Sequence, residues 1–117
     1  MTDAVVRMPF PPAALSGHTG GHWRGKSTPT RKWRGWAVLA ALEAKIPAQP
    51  DGDIPLLVRF YPPHNRGDRT NYGNRCKPIY DGIAQAMGVN DRRFVPRYEY
   101  CDAEKPGRVE ILVGALT

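Results

Sequence analysis

The sequence predicts one small α+β domain, residues 1–117, with a single mixed sheet and two helices in the order β-α-β-α-β-β. Three observations predict it. Apolar runs of strand length stand at residues 5–10, 54–61, 94–101 and 108–116, bounded by Pro, Gly or polar turn residues. Between the first three runs lie two stretches whose apolar residues recur at helical spacing. At 117 residues the chain is long enough for one core and short for two.

Each element has its own justification. Residues 5–10 end at Pro11-Pro12, which cannot donate to a strand ladder. Residues 13–29, rich in Gly, Ser and His, read as a long surface loop with Trp23 as a packing anchor. From Thr30 the period becomes helical: Trp33, Trp36, Ala37, Ala40 and Ala44 recur, with Thr28 or Thr30 as N-cap, until about residue 46. Arg31, Lys32 and Arg34 then crowd the first turns, the unfavourable end of the helix dipole for cations. Residues 54–61 read as a core strand stopped by Pro62-Pro63. A polar loop, 64–71, leads to a helix of about residues 74–87, with Ile79, Ile83 and Met87 on one face and Pro78 in its first turn. After a turn at 88–91, the last two strands are expected to form a hairpin through Glu104-Lys105-Pro106-Gly107.

Composition narrows the partners. With 41% hydrophobic and 24% charged residues the chain is neither a disordered tail nor a membrane protein. No apolar run approaches the roughly 20 residues that span a bilayer, and residues 1–7 do not resemble a secretory signal. A cytoplasmic location is expected. Cys76 and Cys101, without C-x-x-C spacing, exclude a disulfide scaffold and a four-thiolate zinc site. Arg75 and Lys77 flank Cys76 and are expected to lower its pKa. The net charge of +6 favours a polyanion. Residues 1–50 carry seven Lys/Arg and two acids, and residues 51–117 carry ten and nine, so acids and bases meet mainly in the second half.

Two short acidic segments flank the second helix: Asp68 in Arg66-Gly67-Asp68-Arg69-Thr70-Asn71, and Asp91 in Gly88-Val89-Asn90-Asp91-Arg92-Arg93. They meet only if the strand after Asp91 returns beside the strand before Asp68. Carboxylates among phosphate-binding bases suit Mg²⁺-dependent phosphodiester hydrolysis, with Lys77 in reach of the phosphate. Taken alone, an Asp in a loop is more often a turn former. His18 and His22 stand at i,i+4 but have no evident third zinc ligand.

Nearly the whole chain resembles the RusA family of Holliday junction resolvases. The residues that carry the resemblance are Phe10-Pro11-Pro12, Leu15-Ser16, His22-Trp23-Arg24, and the run from Pro62 to Asn71. Lys77, Asp81-Gly82-Ile83 and Gly88-Val89-Asn90-Asp91 complete the pattern. The resemblance implies a homodimer that binds four-way DNA junctions and nicks them with Mg²⁺ (or Mn²⁺) held by aspartates. By position, Asp68 and Asp91 are the metal-holding, catalytic acids and Lys77 the assisting lysine. Asp81 is then a helix acid of structural role. Arg24, Lys26, Arg31, Arg66, Arg69, Arg92 and Arg93 are the DNA-binding candidates.

The chain departs from the pattern at two acids: Thr70 and Asn90 stand where the family has aspartates. Each exchange keeps an oxygen donor and removes a charge, so weaker metal binding is expected. Three function classes follow: a metal-dependent junction endonuclease, a branched-DNA binder that does not cut, and a basic RNA-binding or ribosome-associated protein.

Overall fold

A computed structural model describes residues 4–15, 23–65, 67 and 69–114, with the side chains of 23–28 outside the description. Strand β1 spans Ala4–Pro9, helix α1 Trp23–Ala44, strand β2 Ile54–Tyr61, helix α2 Lys77–Met87, strand β3 Phe94–Tyr100 and strand β4 Arg108–Val113. The four strands form one sheet in the order β1-β4-β2-β3. β4 runs antiparallel to both β1 and β2, while β3 runs parallel to β2, so the sheet is mixed. This is the predicted α+β class. Among the described residues no helix is long and apolar enough to cross a membrane.

Strict alternation explains which face is covered. In β2, Ile54, Leu56, Val58 and Phe60 are buried, and the residues between them are half-exposed. Val109, Ile111 and Val113 of β4 and Val6 and Met8 of β1 continue the same apolar layer. Helix α1 adds Trp33, Ala37 and Ala41, and α2 adds Ile79, Ile83 and Ala84. The two helices approach very closely at Gly82. A Cβ built there would lie 2.5 Å from the Arg34 carbonyl oxygen and 2.6 Å from the Ala37 Cβ. Only glycine lets the backbones pass at this distance.

Three expectations need correction. The segment 13–29 is not one long loop: α1 starts at Trp23, so Thr28 and Thr30 lie inside it and cannot be its N-cap. Pro29, read as the end of that loop, stands instead inside a 22-residue helix that absorbs one missing hydrogen bond. Arg31, Lys32 and Arg34 consequently lie beyond the first two turns, where the dipole argument does not apply.

The second correction concerns the last two strands, which do not pair. Residues 101–107 instead carry the chain across the end of β2, with the Cys101 N–H donating to the Phe60 carbonyl (2.9 Å) and the Glu104 N–H to the Pro62 carbonyl (2.8 Å). Gly107, at φ +92°, closes the crossing against Pro63. β4 thus enters between β1 and β2, where its alternate residues are buried beside theirs. The third correction is Cys76. Burial pushes its thiol up to about 12, outweighing the lowering effect of Arg75, so it is an inert core residue.

Candidate functional site

The local sequence around α2 fixes both of its ends. A 3-10 turn, Gly73–Cys76, leads in, and Pro78 follows at the first helical positions, where its missing N–H is harmless. Gly73 lets this turn sit against the Tyr98 ring, 2.9 Å from where a Cβ would stand. At the other end Gly88, at φ 71°, closes the helix in the left-handed conformation. The Val89 N–H donates to the Ala84 carbonyl and the Gly88 N–H to the Gln85 carbonyl, the paired bonds of a Schellman ending.

A second 3-10 turn, Asp91–Arg93, joins α2 to β3. The Asn90 side-chain oxygen caps it by accepting from the Arg92 N–H at 2.9 Å. β3 then starts level with β2, Phe94 opposite Ile54. The strand after Asp91 therefore does lie beside the strand before residue 68, but parallel to it, so in chain order Asp91 precedes the start of this pair and residue 68 follows its end.

These constraints bring Lys77, Asp81 and Asp91 together. The Lys77 Nζ donates to Asp81 Oδ1 at 2.9 Å, one helical turn away, and also to Asp91 Oδ2. The Lys77 side chain is 64% exposed and the two carboxylates about one third exposed. Exposed pairs of this kind contribute little to stability. Their significance is chemical: two carboxylates converge on one cationic point at the surface.

The electrostatics follow from the geometry. The hydrogen bond to Asp91, then that to Asp81, holds the Lys77 ammonium above its ordinary pKa. The bond from Lys77 holds the Asp91 carboxyl below the usual carboxylate range. A depressed acid stabilises the fold above its unfolded pKa and loses that contribution as pH falls through the folded value. A raised lysine does the reverse, losing its contribution only as pH rises through the folded value.

We therefore expect the melting-temperature difference between the parent and Asp91→Asn to stay flat from about pH 5 to pH 9. It should shrink only below the ordinary aspartate value of about 3.9 and above the ordinary lysine value of about 10.4. A difference that titrates near neutrality would contradict the assignment.

The other candidates are distributed as follows. Asp68 and Arg66 lie outside the described residues. Arg24 and Lys26 fall in α1, and their side chains are not described. Arg31 is exposed on α1, Arg69 is exposed in the 3-10 turn Arg69–Asn71, and Arg92 is exposed beside Asp91. Arg93 is committed elsewhere: its Nε donates to the Gly52 carbonyl (2.7 Å) and its Nη2 to the Pro50 carbonyl (2.6 Å). Asp81 joins the cluster although sequence reasoning gave it only a structural role. Its i,i+4 relation to Lys77 was the available signal.

All the donors converging here are carboxylate oxygens, the chemistry that a hard divalent cation prefers. Asp81 and Asp91 already hold one cation, the Lys77 ammonium. Mg²⁺ is commonly bound through one or two carboxylates with water and substrate phosphate completing its shell, so this donor set fits it. Among the described residues no group of three or more His, Cys, Asp or Glu side chains forms a fuller cage.

Comparison with known proteins adds kinship. No family model matches the chain. A protein of Xylella fastidiosa (strain Temecula1), described only as uncharacterized, is 34% identical over 120 residues, covering 96% of this chain and 76% of its own length. The chain belongs to the same family as that Xylella protein.

Proposed function

We propose that the protein is a RusA-like, Mg²⁺-dependent endonuclease that resolves four-way DNA junctions by paired nicks. The observation that carries this reading is the Lys77 ammonium held between Asp81 and Asp91, at the positions where the motif expects its lysine and its post-helix acid. Asp68 and Asp91 would hold Mg²⁺, or Mn²⁺ in its place. When bound there, the cation supplies a polarised phosphate and an activated water.

The chain's own residues do the rest. Lys77 stays protonated through neutral pH, so it acts as a positive charge for the phosphate rather than as a base. As a substrate phosphate draws the ammonium away, the Asp91 carboxylate is freed from its ion pair. Exposed Arg31, Arg69 and Arg92 neutralise neighbouring phosphates, with Arg24, Lys26 and Arg66 assigned the same task by position. Trp36, Leu39 and Leu42 are exposed along α1 and offer an apolar surface for a homodimer. A cytoplasmic location accords with free Cys76 and Cys101.

A second reading has its own observation. The Asn90 side-chain oxygen is engaged in capping the turn and carries no charge, so it is a weaker ligand than the acid it stands in for. With Thr70 at the other departure, the same fold would bind branched DNA without cutting it.

Labelled four-way and linear DNA, at equal salt with Mg²⁺, Mn²⁺ or EDTA, separate the readings. Symmetric, metal-dependent nicks that vanish in Asp68→Asn are expected. Junction-selective binding without nicks in any metal would replace the endonuclease by the non-cutting binder. Equal affinity for linear DNA would defeat both.

A further inference from the structure

Lys77 gives the site a cation of its own. Its Nζ donates to Asp81 Oδ1 at 2.9 Å and also to Asp91 Oδ2, so the carboxylate oxygens that suit a hard cation are already engaged by the chain itself. Three features hold the ammonium there. Lys77 opens α2, where Pro78 and the preceding turn Gly73–Cys76 fix its backbone. Asp81 lies one turn further along the same helix, within i,i+4 reach. Asp91 begins the turn Asp91–Arg93, whose start is capped by Asn90.

The chain's departures from the motif tilt the competition between this ammonium and a divalent ion. Thr70 and Asn90 are neutral where acids are expected, which removes charge that would attract the divalent ion. Lys77 loses nothing by them, since both of its partners are present. Among the described residues no third His, Cys, Asp or Glu joins the pair to form a metal cage. Without DNA, binding at Asp91 requires the Lys77–Asp91 pair to break or the carboxylate to be shared between like charges, and either costs affinity. A DNA phosphate changes the balance twice over. It brings oxygen ligands of its own, and its charge offers Lys77 a new partner while Asp81 still anchors the lysine.

We propose that Lys77 is a built-in counter-ion that keeps the metal site closed until a DNA phosphate withdraws it. The proposal rests on the metal-dependent endonuclease reading and adds the regulation of that site. Binding of the two ligands becomes cooperative, each raising the affinity for the other by the same factor. Free protein then carries little metal, and the reactive centre is completed only on its substrate.

The first arm of the test needs no nicking. Mn²⁺ is titrated into DNA-free protein at neutral pH, and the unbound ion is counted by electron paramagnetic resonance. Lys77→Met, which removes the charge, is expected to bind Mn²⁺ about fivefold or more tightly than the parent, from the lower end of ordinary coupling between sites upward. Lys77→Arg, which keeps the charge, should stay near the parent. Lys77→Met combined with Asp91→Asn should lose the gain, which ties it to this carboxylate rather than to net charge. The Lys77 side chain is 64% exposed, so its replacement leaves the core untouched. In the second arm, the Lys77 Cε resonance is followed by NMR in EDTA as a four-way junction is added. It is expected to shift with native phosphates and to stay in place when those at the exchange point are uncharged methylphosphonates.

Equal or weaker Mn²⁺ binding by Lys77→Met would overturn the proposal, as would a gain that survives in the double variant. A Cε resonance unmoved by the native junction would overturn release by phosphate. Mg²⁺-dependent nicking by the parent, with no gain in Lys77→Met, would defeat the counter-ion and leave the endonuclease standing. The gain in a protein that neither nicks nor prefers junctions would sustain the counter-ion and defeat the endonuclease reading.

Discussion

Asp91→Asn is expected to reduce junction nicking by more than about a hundredfold, beyond the usual loss for a residue that merely supports a metal ligand. The change keeps the size of the side chain and removes the charge that Lys77 holds. Lys77 then retains Asp81 alone, at 2.9 Å. Binding to the junction should persist or strengthen, because removing one acid raises the net charge from +6 to +7. The split between lost chemistry and kept binding is the decisive readout. If Asp91→Asn cut as fast as the parent, Asp91 would have no part in the reaction. If binding fell together with nicking, the effect would be structural.

The second large effect concerns stability. Gly82→Ala is expected to destabilise the fold by about 1–3 kcal/mol, the range for forcing extra volume into a packed interior. The new Cβ would meet backbone at 2.5 Å, the Arg34 carbonyl oxygen, which cannot swing aside as a flexible side chain would. Relief requires α1 and α2 to part, and parting exposes Ala37 and Ile83. Gly35→Ala is the matched control, since a Cβ there meets nothing within 4 Å. That helical position should gain stability, by up to about 1 kcal/mol. Thermal melting reads both, at roughly 4 °C per kcal/mol for a domain of this size. Equal melting temperatures for the two variants would show that the helices adjust freely at Gly82.

Much of the fold is legible along the chain. Ile54 to Tyr61, an apolar run stopped by Pro62-Pro63, gives the bounds of β2 directly, whereas which of its two faces is buried does not show in residues such as Leu56-Leu57-Val58. Ile79 and Ile83, followed by Gly88, announce a helix with one apolar face and a left-handed end. Pairing is different. Period-two alternation says which side of a strand is buried and nothing about which strand lies beside it. For that reason β3 and β4 read as a hairpin, while β2 in fact separates them.

The start of α1 was hidden by the Gly, Ser and His composition of residues 13–29, which reads locally as a loop although the helix begins at Trp23. At the site, Lys77 and Asp91 stood out as candidates from order and spacing, whereas the ion pair between them did not. The commitment of Arg93 to the 50–52 turn was not, because it depends on carbonyl groups 41 and 43 residues away. Cys76 was misjudged for a related reason. Its charged sequence neighbours are visible in the chain, whereas its burial is a property of the packed core.

The position of β4 governs the order of assembly during synthesis. Among the described strands it leaves the ribosome last, yet it occupies an interior place and bridges β1 to the rest of the sheet. Everything translated before Arg108 can organise α1, α2 and the β2–β3 pair, but β1 must wait without a strand partner. The emerging polypeptide therefore holds Val6 and Met8 in an unfinished state until β4 arrives.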